Sequence, residues 1–133
     1  MVENVCQHLE ALTKLASGDS DVLVVWLYGS QARGTASEQS DIDLAVAYAS
    51  YVPDPVQRRI RPELTALEWT HSLGLSDGEL SVVDIREAPI PLAFSVIDHG
   101  RVLLSKDEGR RMFDEQRIMS MWEDYQYQSR RYG

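Results

Sequence analysis

The chain has 133 residues, 44% of them hydrophobic, which suits one domain with a real core rather than two. Its 21 acidic residues outnumber 13 basic ones and leave a formal charge of −8. That balance disfavours general binding to nucleic-acid phosphates and suits a basic protein partner better. A single cysteine, Cys6, excludes an internal disulfide or a zinc cage; no apolar run has membrane-spanning length or marks an export leader, so a cytoplasmic location with no membrane contact is expected.

In chain order, Val5, Leu9, Leu12 and Ala16 predict an amphipathic helix over 3–16, stopped by Ser17-Gly18. Val22 to Tyr28 (VLVVWLY) is too short and too rich in valine and aromatics for a helix, and predicts a strand buried on both faces. Ser30 to Ala36 predicts a short helical turn whose leading N–H groups face the Gly29-Ser30 bend, and Ile42 to Tyr48 a second strand. Asp54-Pro55 reads as the cap and first residue of a helix, with Val56, Ile60, Leu64 and Leu67 on one face and Pro62 expected to kink or divide it. Arg58, Arg59 and Arg61 on that helix read as a solvated basic run, with contact to a triphosphate as the alternative.

After a loop over 74–78, Glu79 to Ile85 predicts a third strand in which Leu80, Val82 and Asp84 share a face. Residues 88–98 predict a short helix and 101–104 a short strand. Ser105-Lys106-Asp107-Glu108 matches a capping box opening a C-terminal helix, with Met112, Met119, Trp122 and Tyr125 toward the core. The pattern α-β-α-β-α-β-α-β-α predicts a single α+β domain with α/β-type layers over 1–133.

The chemistry is concentrated between Val22 and Tyr48. Side chains alternate along a strand, so Asp41 and Asp43 point the same way with Cβ atoms roughly 7 Å apart, while Ile42 faces the core. Two carboxylates on one edge attract a divalent cation. Gly29-Ser30 stands where the preceding strand ends and the chain must turn, and glycine there allows unusual backbone angles and close approach of a phosphate. Thr35 stands where a Walker A loop requires lysine, so the stretch is not a P-loop.

Gly29-Ser30, ten intervening residues, then Asp41-x-Asp43, in the form GSQARGTASEQSDIDLAV, resembles the signature of the polymerase-β-like nucleotidyltransferase superfamily. With Ala32-Arg33-Gly34 in the loop and Ser40 before the first aspartate, it is most similar to the minimal nucleotidyltransferases, the MntA-type antitoxins paired with HEPN-domain ribonuclease toxins. The resemblance implies a nucleotidyltransferase fold, a short mixed sheet of about four strands covered by helices. It implies that Asp41, Asp43 and Asp84 hold two Mg²⁺ ions, with Asp84 also the general-base candidate. ATP would be the AMP donor, bound by Gly29, Ser30, Arg33 and Ser40. A tyrosine of a cognate HEPN toxin would be the acceptor, and its modification would neutralise the toxin.

Other readings stand beside this one. Asp84 has a rival role as a salt-bridged or capping acid, Ser30 one as a helix cap and Arg33 one in a surface ion pair. The chain could be a binding antitoxin that covers its toxin without catalysis, or could transfer nucleotides to a small molecule or an RNA end. The short chain leaves no separate domain for a small acceptor, and its acidity disfavours RNA.

Overall fold

A computed structural model describes residues 2–34 and 41–132, with side chains over 7–34 and 41–131. In chain order the elements are α1 (Val2–Gly18), β1 (Val22–Tyr28), α2 (Ser30–Arg33), β2 (Ile42–Tyr48), α3 (Pro55–Leu73), β3 (Leu80–Asp84), α4 (Ile90–His99), β4 (Arg101–Ser105) and α5 (Glu108–Tyr132). The strands form one sheet in the order β3-β2-β1-β4. β1 runs antiparallel to β2 and β4, whereas β2 and β3 run parallel. This is the short mixed sheet with helical cover expected of the α+β class.

Strand alternation divides the core in two. Ile42, Leu44, Val46 and Tyr48 of β2 join Val25 and Leu27 of β1 and Leu80 and Val82 of β3 on one face, where Leu12 and Ala16 of α1 and Trp69 of α3 cover them. Ala45 and Ala47 join Val24 and Trp26 on the other face, beneath Ala93 and Val96 of α4 and Ile118 of α5. The buried Trp26 indole N–H donates to the Glu115 carboxylate of α5 at 3.1 Å, which supplies the partner that a buried polar group needs.

Local chemistry explains the helix ends. The Asp54 carboxylate accepts from the N–H groups of Val56 (2.8 Å) and Gln57 (3.1 Å), and Pro55 follows, where its missing N–H costs nothing. Helix α3 continues unbroken through the buried Pro62, so the expected division does not occur. At α5 the cap is Asp107, whose carboxylate accepts from the Arg110 N–H at 3.0 Å; Ser105 cannot play that part because it is the last residue of β4.

Two helices turn the opposite way from their apolar pattern. On α3 the buried positions are Pro62, Thr65, Trp69 and Thr70, and the stripe Val56, Ile60, Leu64 and Leu67 faces outward. Thr65 is buried because its hydroxyl is hydrogen-bonded to the Tyr48 hydroxyl at 2.8 Å, a pairing that an apolar-periodicity count cannot register. On α5 the inward residues are Asp114 and Ile118, with Trp122 stacked on Phe94 at 4.6 Å, whereas Met112, Met119 and Tyr125 are exposed. Asp114 is buried because the Arg110 guanidinium pairs with it at 2.7 Å.

The orientation of α3 has a direct check. Leu64→Gln is expected to change stability by no more than about 0.5 kcal/mol, as exposed sites do, whereas Trp69→Ala is expected to cost about 3–5 kcal/mol. Urea unfolding of both variants measures the difference; equal losses would show that the outward stripe is core.

Candidate active site

The site is built by the end of β1, the bend after it and the start of β2. Antiparallel pairing places Tyr28 opposite Asp43, with both side chains on the face that carries Ala45 and Trp26. Gly29 follows with φ 73° and ψ −155°, a region essentially reserved for glycine. A Cβ at Gly29 would also run into the Asp43 carboxylate. The same glycine thus turns the chain and leaves room for the acid beside it. Asp41 lies just before β2, exposed, two residues from the half-buried Asp43 and on its side of the strand.

Electrostatics mark this edge as short of positive charge. Burial, with the Asp41 charge adding to it, raises the Asp43 carboxyl above the ordinary carboxylate range. Burial and then the Asp43 charge push the Tyr28 phenol up to about 12, so Tyr28 stays neutral and keeps a proton to donate. A bound cation would relieve the repulsion between the two aspartates, and their oxygens are the donors that Mg²⁺ prefers. Among the described residues no three acidic, histidine or cysteine side chains form a metal-holding group. Such an arrangement fits Mg²⁺ held by one or two carboxylates together with nucleotide phosphates rather than by an all-protein cage.

The bend continues into α2, where the Arg33 N–H donates to the Gly29 carbonyl at 3.2 Å and Gly34, at φ 73°, ends the helix. The expected helical turn is therefore one turn, Ser30–Arg33. Ser30 opens it. Among the described residues, the Arg33 guanidinium contacts the Ser95 hydroxyl of α4 at 3.5 Å. Ser40 lies outside the described residues.

Asp84 does not join this edge. In the parallel ladder Asp43 pairs with Ser81 and Asp84 pairs with Val46, so Asp84 is three residues farther along and on the opposite face, with Leu80 and Val82. Three residues of strand are roughly 10 Å. Asp84 instead accepts from the Arg86 N–H at 3.0 Å and faces Arg61 at 3.6 Å, the salt-bridged and turn-capping role. Burial raises its carboxyl, with the Arg86 N–H and Arg61 opposing. Arg61 and Arg58 are likewise not a solvated run, since both are mostly buried and paired.

Glu79 stands just before β3 and, among the described residues, forms no metal-holding group with Asp41 and Asp43. Its carbonyl accepts from the Ile42 N–H at 2.8 Å, which sets it beside Asp41 at the start of β3. Only the parallel register reveals this, because spacing in the sequence does not say which end of β3 meets Asp41.

Comparison with known proteins follows the same residues. The family model described as polymerase beta, nucleotidyltransferase matches residues 10–109. No curated protein matches. Among solved structures, a toxin-antitoxin with AMP-PNP is similar at 24% identity and a TM-score of 0.72, covering 92% of each chain. The MntA-HepT toxin-antitoxin is similar at 20% identity and a TM-score of 0.67, covering 93% of this chain and 92% of the other. A tri-AMPylated Shewanella oneidensis HEPN toxin in complex with its MNT antitoxin is similar at 21% identity and a TM-score of 0.68, covering 93% of this chain and 91% of the other. These likenesses show a shared fold. Because the family model spans β1, the Gly29-Ser30 bend, both aspartates and the whole of the sheet, the chain belongs to the polymerase beta nucleotidyltransferase family.

Proposed function

We propose that the chain is an Mg²⁺-dependent protein adenylyltransferase that moves AMP from ATP to a tyrosine of a HEPN-domain ribonuclease toxin and so acts as its antitoxin. The observation that carries this reading is the Tyr28-Gly29 bend held against Asp43, with Asp41 on the same side. It is supported by the solved relatives, which include a toxin-antitoxin with AMP-PNP and an antitoxin with a tri-AMPylated toxin.

In the reaction, the tyrosine hydroxyl loses its proton to water and its oxygen attacks the α-phosphorus of ATP, the bond from that phosphorus to the bridging oxygen breaks, and pyrophosphate leaves. Asp41 and Asp43 would hold Mg²⁺, which when bound would supply positive charge to the phosphates. Two ions, as the family resemblance implies, would draw their remaining ligands from phosphates and water. The Gly29 and Ser30 amides face the outer phosphates, and the neutral Tyr28 phenol offers a hydrogen bond at the same edge. Arg33 turns from Ser95 to a phosphate when nucleotide binds. Attached AMP adds bulk and negative charge where a ribonuclease must hold RNA.

A second reading, a binding antitoxin that neutralises by coverage, is favoured by the outward stripe Val56, Ile60, Leu64 and Leu67, an apolar surface without cover in the isolated chain. The two readings separate in one experiment. Incubation with toxin, Mg²⁺ and ATP is expected to give an AMP-sized mass increase on the toxin. Asp41→Asn or Asp43→Asn is expected to lower the rate by more than about 100-fold, and Asp84→Asn by less than about tenfold in folded protein. An unmodified toxin that is nonetheless inhibited would establish coverage.

Gly29→Ala is expected to cost about 1–3 kcal/mol in stability and to abolish transfer, because the methyl group displaces the Asp43 carboxylate. Denaturant titration together with the mass assay checks both effects.

Asp43 also predicts a trade of stability for function. Its folded-state pKa is raised, so between the ordinary value of about 3.9 and the raised one the folded state binds more protons, and stability falls as pH rises through that window. Without metal, Asp43→Asn is therefore expected to be more stable than the parent at pH 7, with the gap closing as pH falls through the carboxylate range. Mg²⁺ is expected to raise the parent's melting temperature and not that of the Asp41→Asn, Asp43→Asn double variant. Calorimetric scans with and without EDTA measure both.

A further inference from the structure

The other end of the sheet carries a second polar site. Where β2 leaves the sheet, a cavity of about 320 Å³ is lined by five arginines, Arg58 and Arg61 of α3, Arg86 after β3, and Arg110 and Arg117 of α5. Tyr48 and Tyr51 form part of its wall. Such a concentration of guanidinium groups is out of keeping with a chain whose formal charge is −8.

Acids meet only part of that charge. Arg58 pairs with Glu87 and donates to the Tyr51 hydroxyl at 2.9 Å. Arg61 lies over the Tyr48 ring at 4.0 Å and reaches Asp21 at 3.3 Å and Asp84 at 3.6 Å. Arg110 pairs with the fully buried Asp114 at 2.7 Å and donates to the Tyr48 carbonyl at 2.9 Å. Arg86 reaches only 3.7 Å from Asp114, too long for a hydrogen bond. Arg117 makes no ion pair among the described residues, and its described contact is to the Met121 sulfur at 3.0 Å, a weak acceptor. Among the described residues the Nε atoms of Arg61 and Arg117 are buried without a hydrogen-bond partner, as is the Asp114 Oδ1 that faces Arg86. Buried donors of a charged group are costly to leave unmet, so their presence calls for an acceptor.

We propose that this cavity binds a small phosphate-class oxyanion, at a site separate from the Asp41–Asp43 edge. The donors come from α3, from the β3–α4 connection and from α5, so they converge from several directions. A tetrahedral oxyanion offers oxygens in all of them, whereas a planar carboxylate serves one fork. Arg86 and Arg117 supply the under-compensated charge. Arg58, Arg61 and Arg110 are held in place by their own partners and shape the walls. The cavity volume exceeds that of a bare phosphate, so free phosphate, pyrophosphate and the phosphates of a nucleotide share the chemistry that it selects.

Amide NMR titrations of the full chain with EDTA present test the proposal, using inorganic phosphate, pyrophosphate and ATP in separate arms, with sodium chloride at matched ionic strength as control. Saturable shifts centred on Ser50, Tyr51, Arg86 and Arg117 are expected with at least one phosphate probe and absent with chloride. The arm that saturates at the lowest concentration identifies the source, free anion or nucleotide. In the Arg86→Gln, Arg117→Gln double variant the affinity is expected to fall about tenfold or more. No saturable shift at these residues in the native chain, or shifts confined to Gly29 and Ser30, would overturn the proposal whether or not the variant folds. An unchanged affinity in a folded double variant would overturn it equally.

Discussion

The pairing of β1 with β2 is the constraint on which the rest depends. Placing Tyr28 opposite Asp43 fixes which β2 side chains enter the core and which reach the edge. Ile42 and Leu44 are buried on one face by the same alternation that leaves Asp41 and Asp43 on the other. A slip of one residue would turn both carboxylates toward α1 and α3 and move the leucine and isoleucine to the face covered by α4 and α5. Register therefore couples folding to the site: a sheet that closes its core in this way cannot avoid presenting the two acids together. Gly29 completes the arrangement because a side chain there would occupy the place of the Asp43 carboxylate.

The two strands that build the site were legible for simple reasons. VLVVWLY and IDLAVAY are short, rich in β-branched residues and bounded by turn residues, and their alternation locates both aspartates without tertiary information. What sequence could not supply was register between strands that are distant in the chain. Alternation along β3 puts Asp84 on one face with Leu80 and Val82, but only the parallel ladder shows that face to be the one away from Asp43. The same ladder brings Glu79 beside Asp41. Helices α3 and α5 were misjudged in orientation for a different reason. Their inward faces carry Thr65 and Asp114, whose burial is supported by a hydrogen bond and an ion pair, while their more apolar residues face outward. Periodicity assumes that apolar means inward, and an interior built partly from polar pairs defeats it.

Charge is arranged differently at the two ends of the sheet. At the β1–β2 bend, burial and then the neighbouring Asp41 charge oppose ionisation of Asp43. At the far end of β2, arginines crowd around buried acids, and Asp84 and Asp114 belong to that network. With Asp84 at the arginine end, the Asp41–Asp43 edge has two carboxylates, and phosphates and water would complete the coordination of a metal held there. The small fold thus carries an acidic edge at one end of β2 and an arginine-lined cavity at the other.

The most direct measurement of the central claim is paramagnetic broadening of amide signals by Mn²⁺ substituted for Mg²⁺ in the presence of a non-hydrolysable ATP analogue. The account predicts that Tyr28, Gly29 and Asp43 broaden first and that Asp84, Arg86 and Val46 are spared until far higher metal concentrations. Early broadening around Asp84, with the Gly29 region unaffected, would contradict it.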